Sequence, residues 1–364
     1  MKTFWMTVVM FGFFASASAE DEKSQHEAEW NRRAKEVTET PPNQAFKHWR
    51  AGNDGVDYPT LVRRIRFSPD GSILVAMDGD KAVVREVESG REIYRLNLNE
   101  LDGGIDFSPN GKYLAIGVNN GKVNFYKSGT GKLVYTLDGV GEVLTVTSVK
   151  WFEEYVAVGD MANTVTVIHF PTKKVIFRGV TASFGPEVFS LAISHGRVNE
   201  MLVNARSLVR VVPNKGIEVL IKYPSKKGYI VDFHEGSKVA LWEIKQDKLE
   251  LRRFPSGRGV SRFTHEHHMG KGGEFTYSCF SKDGKYLVYA GDNGFLQLID
   301  VTSGKQLWHA RYGQGWLEGE WGHYSGSHLE AVDLHAKDGK VSIAASGDDA
   351  DTVKIWKVDL KKVK

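Results

Sequence analysis

A short turn sequence that comes back along the chain constrains the fold more than anything else in it. Phe67-Ser68-Pro69-Asp70-Gly71 returns as Phe107-Ser108-Pro109-Asn110-Gly111 and as Phe280-Ser281-Lys282-Asp283-Gly284. A looser copy is Leu334-His335-Ala336-Lys337-Asp338-Gly339. Each is followed by a short apolar run: Ile73 to Ala76, Tyr113 to Ile116, Tyr286 to Tyr289 and Val341 to Ala344. A polar Gly/Asp/Asn turn comes next, then an alternating stretch such as Lys122 to Tyr126 or Phe295 to Asp300. Ser89-Gly90, Thr130-Gly131 and Ser303-Gly304 close the unit, and a last strand follows, Glu92 to Leu96 or Lys132 to Leu137.

Each part has a physical reading. Asp-Gly and Asn-Gly are expected to supply the positive φ of two-residue hairpin turns. Period-two apolar residues bury one face of a strand, and longer apolar runs are strands covered on both faces. Between the second and third copies, three degenerate units keep the strand-turn-strand frame: Val149 to Asp160, Val188 to Val203 and Tyr229 to Trp242. Inner-strand ends then fall near 67, 107, 150, 193, 233, 280 and 335. That makes seven units of the ~40–45-residue period of a radial four-stranded repeat. A four-stranded meander cannot bury both faces alone, and stacking such sheets around an axis solves the problem. The expected fold is all-β, a seven-bladed β-propeller of four-stranded antiparallel blades.

These units resemble WD40 repeats from roughly Gln44 to Asp359. Ile355-Trp356-Lys357 and Ile299-Asp300-Val301 stand where that family's Trp-Asp usually falls. The Gly-His dipeptide does not recur from unit to unit, which removes the family's usual His–Asp hydrogen-bond network as a repeated feature and leaves quinoprotein-like and other bacterial propellers open as closer relatives. The resemblance also implies how the ring locks. The last unit ends on a third strand, Thr352 to Val358, so its fourth must come from elsewhere. Asn43 to Gly52 resembles the fourth-strand segment Gly304 to Gly313, and is expected to close the ring from the N-terminal side.

The segment ahead of the repeat sets the compartment. Lys2 precedes an apolar run from Phe4 to Phe14, and Ala15-Ser16-Ala17-Ser18-Ala19 leads into Glu20-Asp21-Glu22. This order is that of a secretory signal peptide over 1–19, cleaved after Ala19. The run is shorter than the about 20 apolar residues of a membrane span. Residues 20–43 form a charged leader; Trp30, Ala34 and Val37 at i, i+4 and i+7 suit either a short helix or a frayed segment. Residues 44–364 are the propeller. The expected locale is periplasmic or secreted, and the absence of Asn-x-Ser/Thr fits a bacterial periplasm better than a eukaryotic secretory route. Cys279 is the single cysteine, so no disulfide within the chain is available and packing alone must hold it. A formal net charge of +3, one unit of it from Lys2, gives no reason to expect nucleic acid.

No catalytic signature is present: no Gly-x-Ser-x-Gly, no phosphate-cradling glycine loop, no His-Glu-x-x-His. A non-enzymatic role is expected, without a cofactor. Cys279, on an inner strand, reads as a packed thiol. Lys222 to Lys227 reads as a solvated basic turn and Lys361 to Lys364 as a frayed end. Two connections stand out, Thr264 to Gly273 and Gly313 to His328, both joining a fourth strand to the next first strand. They bring His265, His267, His268, His323 and His328 to one face beside Trp316, Trp321 and Tyr324. In one reading Trp316, Trp321, Tyr324, His323 and His328 bind a partner protein, because Trp and Tyr dominate binding hot spots. In another His265, His267 and His268, with Met269 or Glu266, bind copper or zinc, since imidazole suits both. In a third the histidines are solvated and the Trp residues pack the loop down. The favoured expectation is a monomeric scaffold that binds another protein through one face; the alternative is a metal-binding or enzymatic propeller.

Overall fold

In a computed structural model the described residues are 47–50, 62–78, 81–98, 103–118, 121–139, 146–180 save 161 and 163, and 190–193. They continue as the strands between 201 and 264, then 277–290, 295–312, 317–318, 324–325, 329–347 and 352–363. The chain divides into Met1–Gln44 and Ala45–Lys364, and all described residues belong to the second unit. The signal-peptide and leader calls over 1–43 therefore lie outside the described residues.

Every regular element among them is a strand. The first, β1 (Lys47–Arg50), stands apart from its neighbours in sequence. Sheet I holds β2 (Val62–Phe67), β3 (Ile73–Asp78), β4 (Lys81–Glu86) and β5 (Glu92–Asn97). Sheet II holds β6 (Ile105–Phe107), β7 (Tyr113–Val118), β8 (Lys122–Lys127) and β9 (Leu133–Leu137). Sheet III holds β10 (Val146–Phe152), β11 (Tyr155–Asp160), β12 (Thr164–His169) and β13 (Lys174–Val180). Sheet IV holds β14 (Ser190–Ile193), β15 (Met201–Ala205), β16 (Ser207–Val212) and β17 (Gly216–Lys222). Sheet V holds β18 (Tyr229–His234), β19 (Val239–Lys245), β20 (Lys248–Arg253) and β21 (Gly259–Thr264). Sheet VI holds β22 (Tyr277–Phe280), β23 (Tyr286–Ala290), β24 (Phe295–Asp300) and β25 (Gln306–Arg311). A two-stranded hairpin, β26 (Leu317–Glu318) and β27 (Tyr324–Ser325), precedes sheet VII: β28 (Leu329–Lys337), β29 (Lys340–Gly347), β30 (Thr352–Asp359) and, outermost, β1. All pairs are antiparallel. This all-β set of four-stranded meanders fits a β-propeller.

Burial grades across each sheet as the sequence pattern requires. Second strands are buried on both faces, as at Leu74–Met77, Leu114–Val118 and Val156–Asp160, whereas β5 has no buried residue. The core is a set of seams between consecutive sheets. Val75, Met77 and Ala82 pack on Phe107, Leu114 and Ile116 between I and II, and Phe125 and Val123 on Trp151 and Val156 between II and III. Val62, Ile65 and Phe67 pack on Ala331, Ala344, Val353 and Ile355 between I and VII. First strands also adjoin in order: β2 lies against β6, β6 against β10, β10 against β14, β14 against β18, β18 against β22, β22 against β28, and β28 against β2. The approach is tight enough to need glycine. A Cβ on Gly104 would sit 2.2 Å from the Val149 nitrogen.

The turns differ in part from expectation. Among the described residues only Asp338-Gly339 is a two-residue turn with both φ positive, 53° and 76°, between the paired Lys337 and Lys340. The Ser-Pro copies are longer, and among their Asp/Asn-Gly pairs only the glycine is left-handed, Gly71 at 74° and Gly111 at 69°. Asp70 and Asn110 act through their side chains instead. Asp70 accepts from the Ser68 hydroxyl at 2.6 Å and the Ser72 nitrogen at 3.1 Å, and Asn110 does the same with Ser108 and Lys112. This is an Asx turn, in which a short polar side chain stands in for backbone.

Candidate functional site

The first strands carry a polar chain that crosses five sheets. Among the described side chains, five first strands place a polar residue just before a large apolar one, and there stand Arg66 (I), Asp106 (II), Lys150 (III), Cys279 (VI) and Asp333 (VII). Asp333 Oδ2 accepts the Phe67 amide at 2.7 Å, and its Oδ1 accepts from Arg66 Nη1 and from the Cys279 thiol, both at 3.0 Å. Arg66 Nε lies 3.3 Å from Asp106 Oδ1. Asp106 Oδ2 in turn accepts the Trp151 amide at 2.7 Å. Asp333 and Asp106 thus do the same work two sheets apart: each carboxylate reaches the next sheet and takes the backbone N–H beside that sheet's own polar residue.

The electrostatics follow from this placement. Burial works against the Arg66 charge, yet Asp333 and Asp106 outweigh it and hold its pKa above the usual guanidinium value. Tyr277, one turn of the pleat from Cys279, is pushed up to about 12 by burial and by Glu330, whose carboxylate lies 3.4 Å from its hydroxyl. With Asp333 accepting from three donors and Arg66 facing two carboxylates, the cluster is committed to internal bonds. It can fix the seams; it offers no nucleophile, because the Cys279 proton is engaged and the thiol is buried. Cys279 is packed as expected, within the apolar cluster that holds Val288 and Trp308, while its thiol joins the polar chain. Sequence reading passed over this cluster, and its signal was a charged residue directly before the large apolar residue that opens the motif: Arg66-Phe67, Asp106-Phe107, Asp333-Leu334.

The residues singled out from sequence fall mostly elsewhere. His265, His267, His268, Trp316, Trp321, His323 and His328 lie outside the described residues. Tyr324 is placed through its backbone in β27, paired with Glu318. The long connection therefore carries its own hairpin, which brackets Trp321 and His323 in sequence. Both connections run from a fourth strand to the next first strand, β21 to β22 and β25 to β28, in consecutive sheets. Among the described residues no group of three or more His, Cys, Asp or Glu is placed to hold a metal ion. Nor, among them, is any helix long and apolar enough to cross a membrane.

Repeated four-stranded meanders, packed seam on seam, define a propeller-like protein of the repeat class. Residues 99–154 match the Anaphase-promoting complex subunit 4 WD40 domain, over sheet II and the first strand of sheet III. That match supports the WD40-repeat family, whose domains commonly mediate protein interactions. No curated protein matches the chain.

Proposed function

We propose that this chain is an exported, seven-bladed WD40-like propeller, closed by its N-terminal strand, that works as a monomeric scaffold binding another protein and not as an enzyme. The observation that carries the binding role is the WD40 match, set among seven four-stranded sheets of one plan. Closure is supported by the run of first-strand neighbours from β2 round to β28 and back to β2, and by β1 pairing β30 with Trp49 opposite Val353. Export rests on the signal-peptide pattern over 1–19. The partner face is assigned to the two fourth-to-first connections, Thr264 to Gly273 and Gly313 to His328, with Trp316, Trp321, Tyr324, His323 and His328 as its anchors.

The experiment compares two variants against the envelope fraction of the native host. Replacing Trp316 and Trp321 by Ala should weaken partner capture by about 2 kcal/mol or more, with little change in melting, as truncation of aromatic anchors does. Replacing His265, His267 and His268 by Ala should leave capture intact. A stoichiometric copper or zinc in the purified protein, lost with the histidines, would instead make the face a metal site. The intact mass of the host-derived protein should begin at Glu20 without lipid.

A further inference from the structure

Among the described residues, the large apolar side chains that are exposed fall on two strands alone: Leu133 (50%) and Val134 (42%) on β9, Val175 (49%) and Val180 (64%) on β13. These are the outermost strands of sheets II and III, and among the described residues β13 is hydrogen-bonded on one side only, to β12. An edge like this presents unpaired backbone N–H and C=O groups as a template for another strand. The two strands are tied along their length. At one end the Lys173 ammonium lies 5.0 Å from the Tyr135 ring of β9 and 3.0 Å from that of Phe170. At the other, Arg178 donates to the Gly139 carbonyl. The strip is also basic. Lys132, Lys173, Lys174 and Arg178 line it, and among the described residues no carboxylate lies within ion-pair distance of any of them, while Asp138 and Glu154 are engaged by Lys122 and His169.

Lys173 adds a backbone signal. Its φ is +59°, at the position where sheets I, II and VI place Gly90, Gly131 and Gly304. A left-handed lysine is strained, and such outliers persist where the surroundings hold them and the site has a use for them. Here the strain sets an ammonium on the seam between the two exposed strands.

We propose that this strip is a docking edge for an extended, acidic segment of a partner protein, which adds to β13 as a further strand and lays apolar side chains on Val175 and Val180. Alternate residues of an added strand point to opposite faces, so main-chain bonds supply affinity and side chains the choice of partner. Charge selects the occupant. A second copy pairing through β13 would bring Lys174 and Arg178 against like charges, which opposes self-association, whereas alternating carboxylates complement them. The strip does not depend on the loop face proposed above.

The test uses the full chain and a labelled, end-capped decapeptide of alternating Glu and Val, beside its Lys-for-Glu counterpart. The acidic peptide should bind, and hydrogen exchange should slow at β13 amides. The lysine peptide should not bind. Lys174→Glu with Arg178→Glu should weaken binding by about tenfold or more. Lys173→Gly should weaken it severalfold while melting no lower than the parent, since glycine takes that φ freely. The Trp316→Ala, Trp321→Ala variant should bind the peptide as the parent does, so this proposal and the loop-face reading fail separately. No binding, equal binding of both peptides, protection away from β13, or unchanged binding in the charge variants overturns the proposal. So does a dimer in sedimentation that Val175→Glu with Val180→Glu dissolves, for then a second copy is the occupant.

Discussion

At Asp333 one carboxylate satisfies three donors from two other strands: the Phe67 amide, the Arg66 guanidinium and the Cys279 thiol. Burying an ion pair is costly, and exchanging such a pair for apolar residues can be neutral or stabilising. Removing one partner is different, because it strands the other charge. Asp333→Ala should therefore cost about 3 kcal/mol in urea unfolding, with Arg66 left facing Asp106 alone and the Phe67 amide unpaired. Asp333→Asn, which keeps an acceptor for Phe67, should cost clearly less. Equal losses in the two variants would mean that packing volume, and not charge, holds this seam. Glu153 makes a smaller prediction of the same kind. It opens the tight turn between β10 and β11 at φ +45°. Glu153→Gly should raise stability by up to about 1 kcal/mol, the left-handed penalty of an L-residue less the entropic cost of glycine.

At the scale of the element, the Ser-x-Asp/Asn-Gly turn repeats with a built-in control. Asp70 and Asp283 hold the place that Asn110 holds in sheet II. Burial alone would raise both carboxyls, but the Ser68 and Ser281 hydroxyls and the amides two residues on outweigh it and keep both below the usual aspartate range. A pKa lowered on folding adds stability that is complete above the unfolded value, near 4, and is lost as pH falls through the folded one. Asp70→Asn with Asp283→Asn should thus flatten the acid limb of the stability profile below about pH 4 while leaving the turns formed at pH 7. A limb unchanged in the double variant would remove these turns from acid unfolding. Strand placement at this scale was legible in the sequence. First strands were expected to end near 67, 107, 150, 193, 233, 280 and 335, and they end at Phe67, Phe107, Phe152, Ile193, His234, Phe280 and Lys337. A strand near Asn43 to Gly52 was also expected, and β1 lies within it, paired with β30. What pattern could not give was set by contacts between sheets. Arg66, Asp106 and Asp333 look like outward charges until the neighbouring sheets are seen beside them, with amides for the two aspartates and both carboxylates for Arg66. The β26–β27 hairpin, two residues on each side, is too short for any periodicity to register.

Over the whole molecule, the ring closure proposed above is the step with the least covalent help. No disulfide is available, since Cys279 is single and buried, so the meeting of sheet VII with sheet I must be held by contacts. Three act there: the apolar seam of Val62, Ile65 and Phe67 on Ala344, Val353 and Ile355, the Asp333 bonds to Arg66 and Phe67, and β1 on β30. The last joins residues about 300 positions apart, from Trp49 to Val353, and loop-closure entropy grows only slowly with such separation. Its removal should act less through lost chain connectivity than through the bare edge it leaves on β30. A chain lacking residues 20–42 should melt within about 1 °C of the parent, because β1 is intact and a shift that small corresponds to under about 1 kcal/mol in a protein of this size. A chain lacking 20–52 loses β1, so sheet VII keeps three strands and β30 becomes a long unpaired edge, the kind that recruits other chains. It should melt lower and sediment as aggregates that grow with concentration. If the two truncations melt alike and both stay monomeric, β1 is dispensable, and the ring proposed for this chain must be held by the VII–I seam and the Asp333 bonds without it.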